Sequence, residues 1–177
     1  MTDRPLTDRD RDGLGRPRSA RPRDALGRPL PRDRPGAQLD EPDYSALTSA
    51  GALAMAQELL DSGRPFEAHE VFEAMWRRAP TQRRQLWQGL AQLAVAITHL
   101  LRGNATGADR ILRRARANLL PYGGGADPGA DPEVDVRSVL AWIDGLLAQV
   151  GSSTTVGDTS LQVQPPSLRI RPTDDGA

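Results

Sequence analysis

Between Tyr44 and Val150 apolar residues recur at intervals of three and four, the spacing that gathers them on one side of an α-helix, and no convincing strand alternation interrupts them. The first stretch, from about Ser45 to Asp61, turns Leu47, Leu53, Leu59 and Leu60 inward and stops at Gly63. Pro65 suits the first turn of a second helix over Phe66 to Arg78, with Ala68, Val71, Phe72 and Met75 on one face. A short link through Ala79 and Pro80 folds a third helix, from about Thr81 to Arg102, back antiparallel. After a basic start this helix is apolar nearly all round, which makes it the central and most buried one. Gly103 ends it, and Asn104 caps a fourth helix to about Leu120 that turns Ala108, Ile111, Leu112, Ala115 and Leu119 in and Arg110, Arg113, Arg114 and Arg116 out. A Gly- and Pro-rich loop over 121–133 follows, and Asp131, Pro132 and Glu133 open a fifth helix with Val136, Val139, Leu140, Ile143 and Leu147 as its buried stripe. The pattern predicts an all-α fold: a compact bundle of about five helices, made of two helical hairpins plus a C-terminal helix.

Outside that span the apolar pattern stops. Residues 1–43 and 151–177 lack the large apolar groups that offset the entropy of ordering, so they are expected to be disordered tails flanking one domain at 44–150. The N-terminal tail holds a near-repeat, RDGLGRPRSARP at 11–22 and RDALGRPLPRDR at 23–34. Such an arm can touch nucleic acid, an acidic partner or another subunit. With Asp interleaved among the Arg and no aromatic for stacking, composition favours a solvated low-complexity tail. A second echo lies in the domain: shifted by 40 residues, LAMAQELLDSGRPFEA at 53–68 overlays LAVAITHLLRGNATGA at 93–108. Each half is helix, Gly turn, helix, the unit of tetratricopeptide-like binding proteins, though two hairpins are too few for a solenoid groove.

The chemistry-bearing side chains cluster in the second and third helices. Three polar residues of any size interrupt the buried third helix between Leu86 and its last turn: Gln88, Gln92 and His99, within about 40° of one another on the wheel. Each orphaned polar group there would cost about 1–3 kcal/mol. Candidate partners on the second helix are His69 and Glu73, one turn apart at the edge of its apolar face, with Glu70 and the Trp76 indole N–H. One reading is a buried hydrogen-bond network that fixes helix register, with Glu73 or Glu70 accepting from His99 or the Gln amides and His69 held by Gln92. The other is a metal or acid–base site. HEVFE resembles HExxH with Glu for the second His, and His99 reaching across to His69 and Glu73 would supply a zinc ion with three ligands. The spacing permits a divalent metal without requiring one.

Composition narrows the classes further. The chain has no Cys, which excludes disulfides, thiolate nucleophiles and Cys-ligated metals, and all 23 of its basic residues are Arg, which excludes a Schiff-base lysine and a P-loop. Formal charge is zero overall and arginines balance acids within the domain, so a nucleic-acid partner is not indicated for the core and is left only to the Arg-rich N-terminal tail. GGG at 123–125 follows a helix and precedes a proline turn, which is not a dinucleotide-binding context. No apolar run reaches about 18 residues and no signal-peptide core is visible, so a soluble cytoplasmic protein without membrane contact is expected. Nothing in the pattern indicates an oligomeric state.

The residues Phe66, Glu67, Ala68, His69, Glu70, Val71, Glu73, Trp76 and Arg77, followed by Gln88, Gly89, Leu90, Gln92, Leu93, Ala94, Val95, Ala96, His99, Leu100, Arg102, Gly103, Asn104, Gly107 and Ala108, form a pattern that resembles the family called domain of unknown function 309 (DUF309). The resemblance covers roughly residues 50–120. It implies a small, all-α, largely prokaryotic bundle without an established activity. Ala74 stands where such proteins often carry a second acidic residue and Ala91 where a larger aliphatic is usual, and the first departure thins the acidic cluster. Two function classes remain. The favoured reading is a binding module for a small ligand or a protein, with a polar cluster of His69, Glu70, Glu73, Trp76, Gln88, Gln92 and His99. The alternative is a metal-dependent, hydrolase-type enzyme using His69, Glu73 and His99.

Overall fold

A computed structural model of the chain describes Asp24, residues 26–28, Tyr44, and residues 46–124, 133–152 and 164–169. Five α-helices account for most of them: α1 (Ser49–Asp61), α2 (Pro65–Arg78), α3 (Thr81–Leu101), α4 (Ala105–Leu119) and α5 (Val136–Ser152). A single 3-10 turn, Leu120–Tyr122, extends α4, and the described residues contain no strand beyond an isolated bridge between Val134 and Arg169. The all-α bundle expected from periodicity is the fold observed. The tails, where disorder was expected, lie mostly outside the described residues, as do loop residues 125–132.

Two helix starts differ from the expected ones. α1 begins at Ser49 because the Thr48 hydroxyl accepts the Gly51 N–H at 3.1 Å, which fixes the N-cap four residues later than apolar spacing suggests. Asp135 does the same for α5, accepting the Ser138 N–H at 3.0 Å and the Ser138 hydroxyl at 2.7 Å. The start expected at Asp131 falls partly outside the described residues, and Glu133 and Val134 precede the helix.

The 40-residue echo has a structural counterpart. Gly63 and Gly103 both take a left-handed φ, 72° and 73°, and both close the preceding helix the same way. Arg64 N–H donates to the Leu59 carbonyl at 2.8 Å, and Asn104 N–H donates to the His99 carbonyl at 2.9 Å, in equivalent positions 40 residues apart. The chain therefore repeats one helix–turn–helix hairpin, α1–α2 and then α3–α4.

α3 is the centre of the bundle. It packs on α2 along one side and on α4 along another, while α1 covers α2 and α5 covers α4. Leu86, Trp87, Leu90, Leu93, Ala94, Ile97 and Leu100 are buried, and Trp87 meets Phe72 of α2 with ring centroids 6.3 Å apart. Thr98, the one buried polar side chain among the described residues, turns its hydroxyl back to the Ala94 carbonyl at 2.9 Å. Gly89 sets the α3–α4 distance: a Cβ there would lie 2.7 Å from Leu119 Cγ and 3.3 Å from the Ala115 carbonyl oxygen. Gly145, exposed on α5, has no such neighbour.

This contrast gives a paired prediction. Gly89→Val should destabilise the protein by about 1–3 kcal/mol through overpacking, whereas Gly145→Ala should stabilise it by about 0.5–1 kcal/mol through helix propensity alone. Denaturant midpoints at unchanged m-value measure both, and a neutral Gly89→Val would refute the close approach.

Candidate functional site

The antiparallel α2–α3 hairpin decides which of the candidate polar residues can meet. His69 on α2 faces the main chain of Ala91 on α3, and His99 lies eight residues further on, roughly 12 Å along the helix at 1.5 Å per residue. The polar stripe of α3 turns to α4 instead. Gln92 Oε1 accepts the Asn118 side-chain amide at 3.0 Å, and His99 Nδ1 accepts the Asn104 side-chain amide at 3.0 Å. Asn104 in turn accepts the Gly107 N–H at 2.8 Å as the N-cap of α4, so its side chain ties the end of α3 to the start of α4. Gly107 leaves the space for this: a Cβ there would stand 2.8 Å from His99 Nδ1. Gln88 is half-buried on the same stripe.

His69 and Glu73 do come together. His69 Nε2 lies 3.5 Å from Glu73 Oε2, and Arg77 reaches the other Glu73 oxygen at 2.9 Å, a three-residue ladder on α2 whose His and Glu side chains are 25% and 31% exposed. His69 Nδ1 is buried at the α2–α3 contact with no hydrogen-bond partner. Burial pushes the ring below the ordinary histidine pKa, with Arg77 acting the same way and Glu73 and the Ala91 main chain opposing. Trp76 packs partly buried against the core, and Glu70 is exposed. The expected pairing of His69 with Gln92 is replaced by Gln92–Asn118, and His99 is held by Asn104, because the hairpin register turns the stripe away from α2. Among the described residues no group of three or more His, Asp and Glu side chains is placed to hold a metal ion.

The four outward arginines of α4 are partly neutralised. Arg113 pairs with Asp109 on its own helix at 2.9 Å, and Arg116 reaches Asp144 of α5 at 2.6 Å. The arginines turn outward as the sequence suggested, and their ion pairs are worth little individually.

A different feature was not anticipated from the sequence. Short non-helical segments from outside the helices lie against the bundle, and helix side chains bond their main-chain groups. Around Asp24 the chain forms a closed turn: the Asp24 carboxylate accepts from the N–H groups of Leu26 (3.0 Å) and Arg28 (2.7 Å), Gly27 N–H donates to the Asp24 carbonyl (2.7 Å), and Asp24 N–H donates to the Arg28 carbonyl (3.0 Å). Gly27 is buried against Phe66 at the start of α2, in a left-handed conformation with φ 73°, and a Cβ there would overlap the Phe66 ring. Arg102, just past the end of α3, donates to the Leu26 carbonyl. At the other end of α2, Arg78 donates to the carbonyls of Tyr44 (2.8 Å) and Leu47. Burial, with Glu70 and Glu67 nearby, raises the Tyr44 hydroxyl above its ordinary pKa, which places that ring beside the acidic side of α2.

The far side of the bundle does likewise. Gln57 of α1 accepts the Leu168 N–H at 2.9 Å, Trp142 of α5 donates to the Gln164 carbonyl at 2.8 Å, and the Leu168 side chain is fully buried. The near-repeat at 11–34 and the Arg just after α3 were signals available in the sequence. What they lacked was any indication that the two touch.

The depressed His69 pKa has a testable sign. The unfolded chain, with histidine near 6.5, binds more protons than the folded one below that pH, so stability falls as pH drops below about 6.5. His99, lowered by burial and by Arg102 and Arg110, acts in the same direction. Melting curves from pH 7 to pH 5 should show a smaller loss for His69→Gln than for the wild type. Parallel curves would mean that His69 is not buried in its neutral form.

Comparison with known proteins adds identity to this geometry. The model of the family described as domain of unknown function DUF309 matches residues 53–111, which run from the second turn of α1 to the middle of α4. The uncharacterized protein YpuF of Bacillus subtilis (strain 168) is 44% identical over 48 residues, which cover 27% of this chain. The match spans 28% of the length of that relative. No solved structure matches the chain. No helix among the described residues is long and apolar enough to cross a membrane. The double hairpin built around α3 is thus the part of the chain that is similar to the DUF309 family.

Proposed function

We propose that the domain is a protein-binding module that holds short non-helical segments by their main chain. The observation behind this reading is the common form of the contacts around the bundle. Arg102, Arg78, Gln57 and Trp142 come from or adjoin four different helices, and each bonds a carbonyl or N–H of a segment that is not helical. Main-chain recognition tolerates many side chains, and a site for one close-fitting side chain or for glycine supplies the selectivity, as in other peptide-binding surfaces. Phe66, where only a glycine fits, is such a site.

On this reading the His69–Glu73–Arg77 ladder lies on the helix that the tail segments bracket, from Gly27 at its start to Tyr44 at its end. It contributes polarity and register to that face. The α3 stripe joins α3 to α4.

The reading is tested by amide hydrogen exchange on the full chain. Arg102→Ala should speed exchange at Leu26, Gly27 and Arg28 roughly tenfold, the equivalent of one charge-assisted hydrogen bond of about 1.5 kcal/mol, while α2 and α3 amides keep their protection. Unchanged exchange at those three amides would show that the turn stands on its internal bonds alone and that the bundle does not recognise it.

A further inference from the structure

The segment seated on Phe66 and Arg102 is one of two nearly identical stretches of the chain. RDALGRP at 23–29 and RDGLGRP at 11–17 agree at six of seven positions and differ only in Ala25 against Gly13. Each described group whose bonds form or seat the turn has a counterpart in the first copy. Asp12 matches the carboxylate that accepts the two N–H groups, Gly15 matches the left-handed residue against Phe66, and Leu14 matches the residue whose carbonyl receives Arg102. The one difference falls at Ala25, which lies outside the described residues.

We infer that the Phe66–Arg102 notch is a recognition site for the sequence RDxLGRP, and that residues 12–16 are a second ligand for it, exchanging with 24–28. The inference rests on the peptide-binding reading above and gives it a defined ligand. Reach does not prevent the exchange. Arg28 precedes Tyr44, the next described point of attachment, by 16 residues and Arg16 precedes it by 28. Treated as a random coil, 28 residues span roughly 30 Å root-mean-square, about the length of α3. Effective concentration falls as about the −3/2 power of tether length, so the longer tether costs the first copy about 2.3-fold in occupancy. With equal contacts, residues 12–16 hold the notch roughly 30% of the time. A tethered ligand at millimolar effective concentration outcompetes the same segment of another molecule at micromolar concentration, so the exchange takes place within one chain.

The test uses the full chain and the amide resonances of Phe66 and Arg102. Gly15→Val and Gly27→Val each disable one copy, since Val disfavours the left-handed conformation and would strike the Phe66 ring, and neither substitution is in the bundle. Gly27→Val alone should leave both resonances near their wild-type positions, because the first copy takes the seat. The double variant should move them, with α3 resonances unchanged as a check on folding. Synthetic peptides of residues 23–29 and 11–17, titrated into the double variant, should each restore the wild-type positions with affinities within about threefold of one another. Restoration by 23–29 but not by 11–17 would overturn the inference and leave the peptide-binding reading standing. Failure of both peptides would overturn the two together. A Gly27→Val spectrum identical to that of the double variant would also overturn the inference.

Discussion

The structure depends on covering α3 on two sides at once. Its apolar residues extend nearly round the helix, so one partner is not enough, and the two partners must come close without colliding. Gly89 meets that demand on the α4 side, where Leu119 and the Ala115 carbonyl occupy the space a side chain would take. On the α2 side the demand is met by interlocked large groups, with Phe72 against Trp87, and by Ala91 opposite His69. The duplicated hairpin is a compact solution to this problem. One connection geometry, a left-handed glycine followed by a bond back across five residues, delivers α2 beside α1 and α4 beside α3.

That architecture was legible because its determinants are local. Period, proline at the start of α2 and glycine after α1 and α3 are all visible in one dimension, and the helices follow from them to within a few residues. The expected start of α1 lies four residues early, ahead of its capping residue Thr48, and that of α5, set by the Asp131–Pro132–Glu133 signal, lies ahead of Asp135, the residue that accepts the first-turn N–H. The polar cluster was only half legible. A helical wheel places Gln88, Gln92 and His99 on one stripe, but it does not say which neighbour the stripe faces. That depends on the rotation of α3 about its own axis, which the apolar contacts with two different helices set jointly. The stripe faces α4, where Asn104 and Asn118 receive it, and His69 and Glu73 are left as a pair on α2.

The docked segments were illegible for a different reason. Their contacts are between a side chain of the bundle and a main-chain group of a distant segment, and a main-chain group carries no residue identity. Residues 26 and 102 stand 76 positions apart, with nothing in the composition of either neighbourhood to join them. The repeat at 11–34 was visible, but low complexity alone produces repeats. It is the glycine against Phe66 that distinguishes a selected turn from a compositional accident, and the closeness of that glycine to the ring is a fact of three dimensions.

The docked turn is held by terms that are individually small. Fixing the backbone of a few residues costs about 1–2 kcal/mol each. Against this stand the turn's own hydrogen bonds, one arginine bond at an exposed position and the burial of a glycine. Each hydrogen bond returns on the order of 1 kcal/mol, and a glycine buries almost no apolar area. The turn's hold on the bundle therefore rests on several individually small terms acting together. A core element built this way would be a weakness. On the proposed reading, a surface built this way releases one segment and accepts another, and the two near-identical copies of RDxLGRP supply the segments.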